Sequence, residues 1–181
     1  MYNGIINVYK EAGFTSHDVV AKLRGIFGQR KIGHTGTLDP AATGVLPVCL
    51  GQGTKLVDMI TDRSKVYEAR VLLGVTTDTE DTTGSETGRC NLPLELSDGD
   101  KEKAENTIRE VLESFAGGYE QIPPMYSAIK KDGRRLYELA REGREIERSA
   151  RRVQIHSIEL LDVELPYFTM RVHCGKGTYI R

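Results

Sequence analysis

One carboxylate stands apart in this 181-residue chain. Asp39 sits inside KIGHTGTLDPAATGVLPV, Lys31 to Val48, where three glycines, three threonines and two prolines surround a single acidic residue. Asp before Pro is a good helix start, because the carboxylate can cap free amides while Pro40 takes the first helical position. The His34-Thr35-Gly36-Thr37 flank, however, supplies far more turn chemistry than a cap requires. A phosphate-binding loop would end in Gly-Lys-Ser/Thr, and Ala41-Ala42-Thr43-Gly44 does not. A phosphoaspartyl nucleophile is possible chemistry for a solitary Asp, but it normally draws on magnesium and further carboxylates. The paired carboxylates of a glycosidase are missing nearby. What remains is a carboxylate that works on a glycosidic carbon or a base without a metal or a second acid.

The surrounding elements must hold that loop. GIINVYK reads as a short strand. Ser16 is the expected cap of a helix with Val19, Val20, Leu23, Ile26 and Phe27 at helical spacing, ended by Gly28. Thr54 is the expected cap of a shorter helix carrying Leu56, Val57, Met59 and Ile60. KVYEARVLLGV, Lys65 to Val75, reads as one strand that becomes continuously apolar and well buried. TTDTEDTTGSETGRCN reads as a long acidic loop. Asp100 to Phe115 predicts a helix with Ala104, Ile108, Val111, Leu112 and Phe115 on one face, stopped by Gly117-Gly118. QIPPMYSAIKKDG is proline-stiffened and extended, and Arg134 to Arg141 resumes a helix. VQIHSIELLDVEL and FTMRVHCG predict two strands joined at Pro166-Tyr167. Helices interspersed with strands imply an α+β fold with a mixed sheet.

The length suits one domain with a real core, and a 39% hydrophobic, 28% charged composition is that of a soluble globular protein. Apolar runs are only a few residues long, and the N-terminus lacks a signal-peptide pattern. Three widely separated cysteines, Cys49, Cys90 and Cys174, fit a reducing cytoplasm and suggest no zinc site; no metal is expected. The net charge of −1 is unevenly spread. Residues 1–76 carry nine Lys/Arg against six Asp/Glu, residues 77–113 four against eleven, and residues 129–152 nine against five. Local basic surfaces can still favour a polyanion.

GHTGTLDPAATGVLPV closely resembles the catalytic motif of the TruB family of tRNA pseudouridine synthases. VYKEAGFTSHDVV resembles the family's N-terminal Lys-x-x-Gly-x-x-Ser motif at Lys10, Gly13 and Ser16. GQGTKL with Lys55, KVYEA with Lys65 and Tyr67, TTDTEDTTG with Asp81, PPMYSAIKKDGRRLYELAREG and CGKGTYIR follow in the expected order. The resemblance implies a pseudouridine synthase catalytic domain over 1–181, with a mixed, largely antiparallel central sheet flanked by helices. It implies conversion of the T-loop uridine of tRNA, position 55 in tRNA numbering, to pseudouridine in the cytoplasm, with no cofactor and no obligatory protein partner, by a monomer.

On the same ground Asp39, Tyr67 and Arg181 are the expected catalytic residues. Asp39 acts at the target nucleotide, Arg181 pairs with it and helps bind phosphate, and Tyr67 stacks on the base. His34 is expected to brace the gap left by a flipped nucleotide. Gly36, Thr37 and Asp81 join it as substrate-binding residues, while Lys10, Lys55, Lys65, Lys130 and Arg141 are expected phosphate contacts that position RNA without reading it. Tyr126 and Tyr137 are candidates for stacking on bases. Family chains continue past Tyr-Ile-Arg with more of the sheet and a small RNA-binding domain of the PUA type, so the resemblance implies a catalytic domain incomplete at its C-terminal end and with little activity alone. A pure RNA-binding module, a guide-RNA-dependent relative acting on ribosomal RNA, and the phosphoaspartyl enzyme remain as alternatives.

Overall fold

The computed structural model describes residues 1–97 and 99–181. The chain divides into two compact units, Met1–Arg63 and Ser64–Arg181.

In the first unit, β1 (Gly4–Lys10), α1 (Ser16–Phe27), β2 (Ile32–His34), β3 (Gly44–Leu50), a 3-10 turn (Gly51–Leu56) and α2 (Val57–Thr61) follow in order. The strands form one antiparallel sheet, β1-β3-β2. Its inner face and α1 enclose Val20, Ile32, Leu46, Val48 and Leu50, with Val19, Leu23 and Phe27 packed against them. Ile26 is 74% exposed, because it falls at the edge of the apolar arc of α1. The cap of α1 is Thr15, one residue before the expected Ser16: its hydroxyl accepts from Asp18 N while the Asp18 carboxylate accepts from Thr15 N. That reciprocal pair makes a capping box and leaves the Ser16 hydroxyl for another task. Thr54 does not cap a helix; its hydroxyl donates to Gly51 O inside the 3-10 turn.

In the second unit, β4 (Lys65–Leu72), β5 (Val75–Thr77), β6 (Glu86–Arg89), α3 (Leu94–Ser97), α4 (Lys101–Glu113), β7 (Tyr119–Gln121), β8 (Lys130–Lys131), β9 (Arg134–Arg135), α5 (Leu136–Arg141), β10 (Arg151–Val153), β11 (Ile155–Glu164) and β12 (Tyr167–Cys174) follow. The sheet β11-β12-β4 is antiparallel throughout, and three two-stranded ribbons pair β10 with β7, β5 with β6, and β8 with β9. The α+β class and its antiparallel pairing are as expected, divided among small sheets.

The reading of Lys65–Val75 as one strand that becomes continuously apolar and well buried is corrected. β4 alternates between exposed and half-buried positions, with Val66 60% exposed, and a turn at Leu73-Gly74 starts β5. The expected long loop after it is a hairpin, β5 returning as β6. Helix α4 is capped by Asp100 and buries Ala104, Ile108 and Leu112. Val111 lies at the margin of that face and is 55% exposed. Two cores result: Ile108, Leu112, Val163 and Phe168 under α4, and Ile155, Val172 and Cys174 with Tyr67, Tyr119 and Ile180 against them.

Replacing Leu46, 1% exposed in the first core, by Ala removes buried methyl groups and leaves a cavity. Urea unfolding should show a loss of roughly 2–5 kcal/mol.

Candidate active site

Asp39 does not cap a helix. No helix follows it; Ala42 N donates to Asp39 O at 3.0 Å, closing a β-turn with Pro40 at its second position. Asp39 and Pro40 are exposed. A turn on the surface has no ladder of its own, so its backbone groups must be held from outside.

Three residues of the N-terminal segment hold it. The Ser16 hydroxyl, 2% exposed, accepts from Leu38 N at 2.9 Å. Gly13 N donates to Pro40 O at 2.9 Å, and Gly13 has φ 85°, a conformation that favours glycine. Lys10 is 0% exposed, and its ammonium donates to Phe14 O at 2.6 Å, Glu11 O at 3.0 Å and Pro40 O at 3.3 Å. The expected phosphate contact at Lys10 is therefore corrected: its ammonium is committed to carbonyls beneath the turn. Burial pulls the Lys10 ammonium below its ordinary value, while the charge of Asp39 opposes that shift. On the other flank, Thr35 is 2% exposed and donates to Pro47 O through both its amide, at 3.1 Å, and its hydroxyl, at 3.2 Å.

His34 ends β2, half-buried, and its Nδ1 is buried with no hydrogen-bond partner among the described residues. Burial holds the imidazole below its ordinary value; the backbone at Gly36 works against this and the charge of His17 with it. Gly36 is half-buried and Thr37 exposed on the approach to Asp39, and Lys55 is exposed on the 3-10 turn.

The second unit builds a polar cluster around Arg181. Its guanidinium pairs with Asp81 Oδ2 at 3.0 Å and donates to Thr79 O at 3.1 Å; the side chains of Arg181 and Asp81 are only 8% and 19% exposed. The Asp81 carboxylate also accepts from Thr83 Oγ1 at 2.6 Å, Thr79 Oγ1 at 2.7 Å and Thr83 N at 2.9 Å. Burial pushes the Asp81 carboxyl up, but the donors of Thr83 and Thr79 and the charge of Arg181 together outweigh it and hold the group below its ordinary range. The acidic hairpin thus exists to fold around one carboxylate. Gly84 is required there, because a Cβ would come within 2.3 Å of Asp78 Oδ1 and Thr79 Oγ1.

Tyr67 lies on β4 opposite Val172 and is half-buried against the same core as Ile180, the neighbour of Arg181. Lys65 begins β4 opposite Cys174 and is half-buried. Lys130 is exposed on β8. Arg141 closes α5 with its guanidinium 5.3 Å from the Tyr137 ring centroid, and Arg135 stands 5.7 Å from the same ring. Tyr137 is thereby engaged by two guanidiniums, and Tyr126 is half-buried. The first unit thus holds the Asp39 turn on its Lys10, Gly13 and Ser16 brace, and the second holds Arg181 on Asp81 and Thr79.

Residues 24–180 match the model of the TruB family pseudouridylate synthases, N-terminal domain. The chain belongs to that family. It is 51% identical over 179 residues to a tRNA pseudouridine synthase B of Clostridium novyi, covering 99% of this chain and 59% of that protein. It is 58% identical over 187 residues to one of Lachnoclostridium phytofermentans, covering 99% and 58%. The chain thus spans somewhat under two thirds of the curated relatives it matches. A solved Cbf5-Nop10-Gar1 complex has a similar fold, with TM-score 0.68 and 31% identity over 98% of this chain and 41% of that one. A structure of an H/ACA RNP bound to a substrate RNA containing 2′-deoxyuridine is similar too, with TM-score 0.64 and 28% identity over 98% and 39%.

Sequence reading missed Thr79, Thr83 and Gln121. The first two were legible as Asx-type turn partners, since Thr and Asp two residues apart bond readily. Gln121 left no local signal of its backbone partner Tyr179, which lies 58 residues along the chain.

The depressed Asp81 carboxyl makes a pH prediction. Its contribution to stability is complete above the ordinary carboxyl value of 3.8 and is lost as the pH falls through the lower folded value. Asp81→Asn should cost roughly 3–5 kcal/mol at neutral pH, the scale for stranding a buried ionic partner. Urea melts from pH 7 to 2 should show the wild-type and variant stabilities converging at the acid end.

Proposed function

We propose that this chain carries catalytic machinery that converts a uridine of tRNA, the one in the T-loop, into pseudouridine. The observation that carries this reading is an exposed aspartate on a turn braced by Lys10, Gly13 and Ser16, in a chain of the TruB family. The reaction breaks the bond between ribose C1′ and uracil N1 and forms one between C1′ and C5. The C5 proton leaves and N1 gains one, so nothing is oxidised or reduced. The need is for a carboxylate held at the sugar, and an exposed Asp39 on a turn braced by Lys10, Gly13 and Ser16 supports that reading.

The remaining residues take supporting roles. The target base must leave its stack to be reached, and His34, half-buried and pushed towards the neutral form by that burial, is suited to fill the space it vacates. Tyr67 stacks on the base and assists proton transfer. Arg181 supplies a fixed cation, kept in one orientation by Asp81 and Thr79. Lys55, Lys65, Lys130 and Arg141 meet phosphates, fixing register without reading sequence. Relatives named tRNA pseudouridine synthase B are 45–58% identical, against 28–31% for the proteins solved in the Cbf5-Nop10-Gar1 complex and the H/ACA RNP, which favours a tRNA substrate and action without protein partners.

In the full-length protein, Asp39→Asn should lower the rate of pseudouridine formation in tRNA by roughly 10⁴-fold or more, the scale for loss of an essential reacting group. Filter binding should show tRNA affinity nearly unchanged, since affinity rests on phosphate contacts. Normal turnover by this variant would remove Asp39 from the mechanism.

A further inference from the structure

The segment that ends in Arg181 is not part of any strand or helix, yet its guanidinium must meet Asp81 and Thr79 at hydrogen-bonding distance. The Gln121 side chain clamps that segment at Tyr179. Gln121 Oε1 accepts from Tyr179 N at 2.9 Å, and Gln121 Nε2 donates to Tyr179 O at 2.8 Å. The amide therefore pairs with both backbone groups of one residue, as a neighbouring strand would. The second Nε2 proton goes to the Tyr119 hydroxyl oxygen at 2.7 Å. Only this orientation of the amide works, because Tyr179 N–H can only donate and must face the oxygen.

The clasp is itself anchored. Tyr119 and Gln121 stand two apart on β7 and so share a face. Tyr119 packs edge-on against Phe115, with ring centroids 5.1 Å apart, and belongs to the core that also holds Ile180. β7 is paired with β10, with Gln121 opposite Arg151. The short path from Gln121 to Tyr179, and on through Ile180, ends at the Arg181 guanidinium.

We propose that Gln121 is a positioning residue that acts through Arg181: its side-chain amide locks the backbone of Tyr179 and thereby sets the Arg181 guanidinium on Asp81. Its kinetic consequence rests on the proposed reaction, whereas its structural consequence does not. A residue of this kind lowers turnover without weakening RNA binding, because it touches neither the reacting atoms nor a phosphate.

The test uses the full-length protein with Gln121→Met, which keeps length and removes all three hydrogen bonds. Amide exchange followed by mass spectrometry should show Tyr179 opening about tenfold faster, with the rest of the second unit still protected; tenfold corresponds to one hydrogen bond's net worth. Turnover on tRNA should fall roughly 10- to 100-fold, the scale of a small misplacement, with KM nearly unchanged. In a double-mutant cycle the loss should not multiply with that of Arg181→Lys, since both act through one group. Should Gln121→Met fail to fold, Gln121→Ala, which also removes the acceptor for Tyr179 N and both donors, carries the same measurements. Unchanged exchange at Tyr179, or losses that multiply with Arg181→Lys, would overturn the proposal. An inactive wild-type protein with the expected exchange pattern would instead count against the reaction and leave the clasp standing.

Discussion

A reactive carboxylate must be open to its substrate and still be held in one place, and those demands conflict. The first unit meets both by bracing the Asp39 turn from below. Leu38 N is taken by the Ser16 hydroxyl, and Pro40 O by Gly13 N and the Lys10 ammonium. A surface turn with its own backbone unsatisfied would sample many conformations, and each ordered residue costs about 1–2 kcal/mol of conformational entropy. Burying an ammonium is also costly, and three carbonyl acceptors offset that cost. The rest of the unit follows from this arrangement. α1 must be capped by Thr15 so that Ser16 is left to reach Leu38, and β1 must end at Lys10 so that its side chain points under the turn.

The second unit solves a related problem with opposite means. Arg181 lies on an irregular segment, and its charge is fixed by a buried acceptor whose other lone pairs are already occupied. Four donors converge on Asp81: Thr79 Oγ1, Thr83 Oγ1, Thr83 N and the guanidinium. In a poorly solvated cluster such a network stays ionised and orients its members strongly. The hairpin between β5 and β6 therefore does the work that a helix or strand does elsewhere.

Much of this was legible in the sequence. The strand at Gly4–Lys10, the helix ended by Gly28, the helix 101–113 and the terminal strand pair at Pro166 all follow from periodicity and turn residues. The motif order pointed to the family, which the match over residues 24–180 bears out. What periodicity hid was long-range: a polar side chain looks the same whether it faces solvent or a distant carbonyl. Lys10 therefore read as a phosphate contact although it is buried, and Asp39-Pro40 read as a helix start although it opens a turn. The acidic stretch 76–91 read as a loop because threonines bonded to one aspartate have no period. Gln121, whose partner is 58 residues away, gave nothing to read.

The central claim is that the braced Asp39 turn serves a uridine isomerisation in tRNA. The most direct measurement is tritium release by the full-length protein from a T-arm stem-loop carrying [5-³H]uridine at the target position, with no guide RNA or other protein added. The account predicts release of about one tritium per target uridine, because each C1′–C5 bond formed expels the C5 proton. Absence of release from this stem-loop, with release restored only by a guide RNA and partner proteins, would contradict it.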